Sequence, residues 1–365
     1  MRRRRWAAVM LIVSLSWLLA GCWDQLPMAN RASALALSVT KAAPHAFRFT
    51  FYFPNPTVTV SSISNLATER EFYTSTAVAP ALGLAYRRVQ SQITRDLYLG
   101  QLEDIIISAD LTTADVAALI NAYNRMGVVP KMVYLVGTPN NRGTLPVNLQ
   151  EPVPTVYFTK YFDCRTCQPV FLARREWKVW DAFETPGVSP VIPYGITPTR
   201  IDRLMVYPHR GRPYIMTRQE TLGWGFLTNH MVKDTVGVRL ANGLVVVNNV
   251  TDVAVTHMAI EAGHLAVAAE ILARGDIAGW PESVPLTNAV LKIVERQLAR
   301  AIIRDCLAAV NFANRTKTDP FGFTRDYLFR HPAQDLRDEK SRGMIWPLKL
   351  TVRVVARIPI TGVTS

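Results

Sequence analysis

The residues best placed to do chemistry in this chain are its four cysteines, and the first of them, Cys22, closes the tetrapeptide Leu19-Ala20-Gly21-Cys22. Arg2 to Arg5 supply a basic start, and an uncharged, mostly apolar stretch runs from Trp6 to Ala20. That is the layout of a secretory signal peptide, here ending on a thiol, and the tetrapeptide resembles a lipobox. The chemistry expected is thioether attachment of a diacylglycerol to Cys22, with cleavage of residues 1–21. The apolar stretch is shorter than the roughly 20 residues a membrane span needs. Two acyl chains anchor stably where one binds marginally. An uncleaved N-terminal anchor is the competing reading. The arginine run also invites twin-arginine export, but nothing else in the region supports it.

The other cysteines admit more than one role. Cys164-Arg165-Thr166-Cys167 is an isolated CxxC. In an exported protein it suits a local disulfide or a structural pair. A zinc site needs two further ligands, and a thioredoxin-like role needs a surrounding βαβ unit that the neighbouring residues do not supply. Cys306 falls on the apolar row of an expected helix, as a small hydrophobe. His257 and His264 flank Glu261, but their spacing is not His-Glu-x-x-His, and the segment reads as strands. No nucleophile elbow, phosphate loop or dinucleotide fingerprint occurs. Pairs such as Glu103-Asp104 and Asp338-Glu339 make no catalytic constellation. The residues thus argue for no enzyme, no cofactor and no metal.

Removing residues 1–21 from 365 leaves 344, enough for about two domains. The formal charge of +13 falls to about +9 without the four arginines of the leader. A basic body near anionic headgroups gains attraction. Nucleic acid is the other usual partner of a basic protein, but zinc-finger and RNA-binding motifs are missing and the export signal opposes it.

The elements that must position these residues can be read from periodicity. Ala34–Val39 and Phe47–Phe53 alternate as strands, with aromatics at 47, 49, 51 and 53 on one face. Val78–Gln92 reads as a helix start followed by a basic stretch, Leu102–Ser108 and Val133–Val136 are strands, and Thr112–Asp115 opens a helix running to about Arg125. This is a mixed α/β beginning. Residues 139–154 are a loop, and the proline-rich stretch 186–199 reads as a linker between domains 22–185 and 200–365. Beyond it, Ile201–Tyr207, Gly223–Leu227, Val236–Leu240 and Leu244–Val247 read as short strands, with Asn242-Gly243 as a hairpin turn. Val253–Ile260 and His264–Leu272 form a second hairpin around Glu261-Ala262-Gly263. A long helix spans about Leu286–Ala313, with one apolar stripe through Val290, Ile293, Val294, Leu298, Ala301, Ile302, Cys306, Ala309, Val310 and Ala313. Lys292, Arg296, Arg300 and Arg304 lie mostly off it. Leu348–Ile358 closes the sheet. The expected class is α+β: an N-terminal α/β domain, then an antiparallel sheet carrying one long helix and a returning last strand.

Several segments, in order, resemble the Ger(x)C or GerAC-type spore germination lipoproteins, the C subunits of GerA-type nutrient germinant receptors. They are Leu19-Ala20-Gly21-Cys22-Trp23-Asp24, Leu97–Ile107, Pro190-Val191-Ile192-Pro193-Tyr194, Glu220–Leu227, Asp319-Pro320-Phe321-Gly322-Phe323 and Leu350–Gly362. The chain departs from the family pattern at Gln25-Leu26-Pro27, at Leu222, and in its CxxC pair. The resemblance implies a multi-domain mixed α/β fold and a non-enzymatic subunit, anchored through Cys22 on the outer face of the spore inner membrane. It implies integral-membrane partners, GerAA-like and GerAB-like, and a scaffold or signal-relay role. Trp224, Phe226, Phe321 and Phe323 are candidate partner contacts if exposed; core packing is the competing reading. The alternative function is an envelope lipoprotein that binds a solute for a transporter, a class that shows two doubly wound lobes.

Overall fold

The computed structural model of the chain describes residues 6, 27, 30–55, 72–127, 129–139, 154–164, 167, 170–197, 200–241, 243–332 and 346–359. Cys22 with the whole lipobox, Trp23, Asp24, most of the loop 139–154 and Asn242 lie outside the described residues. The N-terminal elements are β1 (Arg31–Ser33), β2 (Ala36–Ala43), β3 (Ala46–Pro54), β4 (Phe72–Ala79), α1 (Leu82–Gln90), β5 (Asp96–Tyr98) and β6 (Asp104–Ser108). They continue with α2 (Thr113–Asn124), β7 (Tyr134–Thr138), α3 (Pro154–Asp163), α4 (Glu176–Glu184), β8 (Val191–Thr197), β9 (Arg200–Val206) and β10 (Tyr214–Ile215). A sheet of eight strands in the order β10-β9-β8-β7-β6-β2-β3-β4 joins them, with β1 and β5 as a separate parallel pair. The centre of the large sheet is parallel and both of its edges are antiparallel.

Strand side chains alternate between faces, and here the two faces feed two different cores. Leu37, Val39, Phe49, Phe51, Phe53, Ile105, Ile107, Leu135, Ile192 and Met205 pack on one side, with Val116 and Ile120 of α2 and Phe183 of α4. Ala36, Tyr52, Ile106, Val136, Val191, Leu204 and Val206 point the other way, into a core that continues through Phe158 and Phe162 of α3 to the C-terminal half. The aromatic row of β3 is therefore one face of the first core, as its period of two predicts.

That C-terminal half comprises α5 (Arg218–Leu227), β11 (Asp234–Leu240), β12 (Gly243–Glu261), β13 (His264–Gly279), α6 (Asn288–Thr316), α7 (Phe323–Arg330) and β14 (Leu348–Arg357). Strands β11 to β13 form an antiparallel meander, and β14 returns beside β13 in parallel. The class is the α+β arrangement expected, with seven helices among the described residues.

The structure corrects several local expectations. Residues 191–197, read as linker, form β8 inside the large sheet, and β9 and β10 extend that sheet to Ile215. The β7 side of β8 carries one register pair, Gly137 with Tyr194. That leaves room for Pro193, which cannot donate to a ladder. Val78 and Ala79 end a strand rather than begin a helix. The two short strands expected at 244–247 and 253–260 are one strand, β12, which runs through a register shift near Asn249, a residue with left-handed φ of 54°. Its hairpin turn uses Ala262 and Gly263 at φ of 46° and 77°, the pair of positive angles that a two-residue turn of right-handed twist requires.

Gly223–Leu227 is helix, not strand. Thr217 caps α5: its hydroxyl accepts from the Glu220 N–H, and the Glu220 carboxylate accepts from the Thr217 N–H. This reciprocal box satisfies two helix-end donors and outweighs the two glycines that argue against a helix. On α6 the buried row is Leu291, Val294, Leu298, Ile302, Cys306, Ala309, Val310 and Ala313, while Val290 is half-buried and Ile293 turns outward. The stripe was expected one position off at its start.

Candidate functional site

The family-like motifs fall on the seams between elements, and their chemistry there is bracing. Asp319 is fully buried. Its Oδ1 accepts from the N–H groups of Phe321 and Gly322 at 3.1 and 2.9 Å, and its Oδ2 from Thr324 at 2.7 Å. The carboxylate thus covers the N-terminus of α7, where a negative group meets the helix dipole. Gly322 starts that helix at φ 77°, which a glycine adopts freely. Burial raises the Asp319 pKa, and the backbone donors work against that rise. The backbone of Asp319 pairs with Ser189: the Ser189 N–H donates to its carbonyl at 2.8 Å and its N–H donates to Ser189 Oγ at 3.0 Å. The motif Asp319–Phe323 therefore fastens the segment before β8 to the end of α6.

The motif Glu220–Leu227 does the same for α5 and α6. Glu220 caps α5 and also meets Arg315 of α6 at 3.2 Å. A Cβ on Gly223 would lie 1.9 Å from the Asp305 carbonyl oxygen, so only glycine lets the two helices approach this closely. The Trp224 indole N–H donates to the Pro320 carbonyl at 2.8 Å.

Trp224, Phe226, Phe321 and Phe323 are all buried. They are not offered to a partner; the indole is locked between helices, and Phe321 stacks on Phe323 at 4.9 Å. Cys164 and Cys167 are joined, with Cα atoms 5.4 Å apart. Cys306 is buried in α6, and burial pushes its thiol pKa up, away from reactivity. His257 and His264 are exposed hairpin residues, and the His264 ring meets the Ala262 carbonyl. Among the described residues no group of three or more His, Cys, Asp or Glu side chains could hold a metal ion.

One cleft, of about 460 Å³, lies where the two halves meet, between α4 on one side and the end of α5 and the start of α7 on the other. The segment 170–176 crosses it. Val170 bridges Met231, and the Phe171 N–H donates to the His230 carbonyl at 2.7 Å. At its other end the Arg174 carbonyl accepts from Leu135 of β7 and the Glu176 N–H donates to Val133. Backbone pairing thus fixes Arg174 from both halves.

The Arg174 side chain lines the cleft and is 8% exposed. Its guanidinium lies over the Trp224 ring, 4.9 Å from the centroid, and Nη1 donates to the Ala173 carbonyl. Burial lowers its pKa to about 10. His230 sits over the same indole at 4.7 Å. Burial, and then the Arg174 charge, push the imidazole pKa down to about 4. A neutral His230 donates from Nδ1 to the Thr228 carbonyl at 2.8 Å.

Sequence reasoning missed Arg174, His230 and Asn229. Asn229, at φ 57°, pairs its amide with the backbone of Ala254 on both sides, in the manner of an added strand residue. It missed Phe329 too, which is 72% exposed. A signal for Phe329 exists: Phe323 and Tyr327, four apart, set the buried row of α7, and Phe329 falls off it.

Comparison with known proteins agrees with the motifs. The model for the spore germination protein N-terminal domain matches residues 24–196. The model described as spore germination B3/GerAC like, C-terminal, matches residues 214–362. Together they define a two-part germination protein, and the chain belongs to the GerAC-like spore germination family. The crystal structure of the GerBC protein is similar in fold, with a TM-score of 0.53 at 12% identity, covering 88% of this chain and 96% of that one. No curated protein sequence matches.

Proposed function

We propose that this chain is the lipid-anchored C-type subunit of a spore nutrient germinant receptor, acting as a scaffold or signal-relay component. The observation that carries the reading is the match of both family models, end to end, over nearly the whole chain. Cys22 would carry the diacylglycerol and replace the leader 1–21 as the start of the mature protein. Among the described residues no helix is long and apolar enough to cross a membrane. The partners would be GerAA-like and GerAB-like integral-membrane subunits, on the outer face of the spore inner membrane. Cys164 and Cys167 would form their disulfide there, outside the reducing cytosol.

A surface feature fits this placement. Lys292, Arg296, Arg300 and Arg304 are exposed at intervals of four along α6. The nearby acids are engaged elsewhere: Glu295 accepts the Ile358 N–H and Asp305 accepts from Gln219. A row of about four cations has affinity for anionic headgroups of roughly 1 kcal/mol each. The solute-binding reading is disfavoured by the antiparallel C-terminal sheet, which is no doubly wound lobe.

The test is Cys22→Ala in the sporulating host. The parent should fractionate with membrane and gain the mass of a diacylglycerol. The variant should become soluble, stop co-purifying with the polytopic subunit and lose nutrient-triggered germination. Unchanged membrane retention and germination in the variant would overturn the proposal.

A further inference from the structure

Among the described residues, Arg174 stands out as a buried guanidinium with no carboxylate within ion-pair distance. Taking a charge out of water is expensive unless it is paired and hydrogen-bonded. Its neighbours do not neutralise it. Trp224 offers a ring face, Ala173 one carbonyl, and His230 is neutral at physiological pH. Lys178 lines the same cleft and adds to the positive field, while Arg325 is paired internally with Asp326 at 2.9 Å. The volume, about 460 Å³, falls within the range of small-ligand sites. The site also lies at a meeting of two halves, with backbone hydrogen bonds fixing the segment 170–176 on either side.

We infer that this cleft is a binding site for a small molecule carrying a carboxylate, which Arg174 grips while the planar or apolar body of the ligand lies against Trp177, an exposed aromatic of the same lining. A fork-like guanidinium suits a carboxylate in two parallel hydrogen bonds. Asp181 and Asp326 also line the cleft, and they oppose a multiply charged anion such as phosphate. A monoanion is therefore the chemistry that fits. A ligand seated here would touch α4 of one half and α5 and α7 of the other. It would alter how firmly the halves are held together.

Sodium benzoate is a suitable probe, titrated into the full chain in detergent by calorimetry and by ligand-observed NMR, with inorganic phosphate and sodium chloride as controls. Saturable binding of benzoate is expected, with neither control competing. Arg174→Met should weaken binding about ten- to hundredfold, the usual worth of a charge-assisted hydrogen bond, and Arg174→Lys should restore part of it. Arg174→Met should lose the benzoate-induced rise in melting temperature that the parent shows. Lys178→Gln, at an exposed position, should weaken binding by a smaller factor and guards against misfolding of the first variant. The inference is overturned if benzoate does not saturate on the parent chain, if phosphate displaces it, or if Arg174→Met binds it as the parent does.

Discussion

At the scale of single residues, the molecule is governed by buried polar groups whose partners are backbone atoms. Trp224 shows this: the indole N–H spans to the Pro320 carbonyl and ties α5 to the end of α6. Trp224→Phe keeps the ring packing and orphans that carbonyl, so a loss of about 1–3 kcal/mol is expected from urea unfolding. Two titrating groups make opposite contributions to the pH dependence. Asp252 has both carboxylate oxygens without a hydrogen-bond partner, and burial lifts its pKa from 3.8 to about 7. Between those values the folded protein holds more protons than the unfolded chain, so stability falls as pH rises through that window. Asp252→Asn should therefore be more stable than the parent at pH 8, by on the order of 2 kcal/mol, and about equal to it near pH 4. His230 behaves in reverse. Its folded pKa of about 4 lies below the ordinary 6.5, so its contribution is complete above 6.5 and is lost as pH falls towards 4. His230→Gln should flatten the acid limb of the stability profile. Urea midpoints between pH 4 and 8 check both.

At the scale of elements, the legible parts were those with a strong period or a cap. The aromatic row of β3, the Thr112 start of α2 and, from Val294 onward, most of the stripe of α6 were present in the sequence and form as read. Failures came where a local signal met a tertiary one. Gly223 and Gly225 make Gly223–Leu227 look like a strand, yet they are glycine because α5 lies against the backbone of α6 and against Val170 and Met231. The box Thr217-x-x-Glu220 was readable, and it decides the matter. Gly223→Ala should force α5 and α6 apart, costing about 1–3 kcal/mol or more, read as a lower urea midpoint at unchanged slope. The proline-rich stretch at β8 misled in a similar way: prolines mark loops by default, and only the short contact with β7 permits one in this sheet. Arg174 was invisible because nothing local marks it. Its meaning depends on Trp224, fifty residues on, and on the absence, among the described residues, of a carboxylate beside it.

At the scale of the whole molecule, the ordered motifs are places where the chain fastens to itself. Glu220–Leu227 joins α5 to α6, and Asp319–Phe323 joins α7 to the segment before β8. The exposed counterpart is Phe329. Phe329→Ala should leave the melting temperature within about a degree of the parent's, as surface changes usually do. If α7 faces the proposed partner subunits, the same change should reduce co-purification with them, since exposed aromatics are the usual anchors of interfaces. Equal recovery of the partners would place the interface elsewhere.

The large sheet is a wall with a separate core on each face, and the second core is continuous with the C-terminal half. It follows that the two family-matched regions are not modules that can be exchanged freely. A chimaera joining residues 1–213 of this chain to the C-terminal half of a distant relative would need to match Ala36, Tyr52, Ile106, Val136, Val191 and Leu204 with foreign side chains.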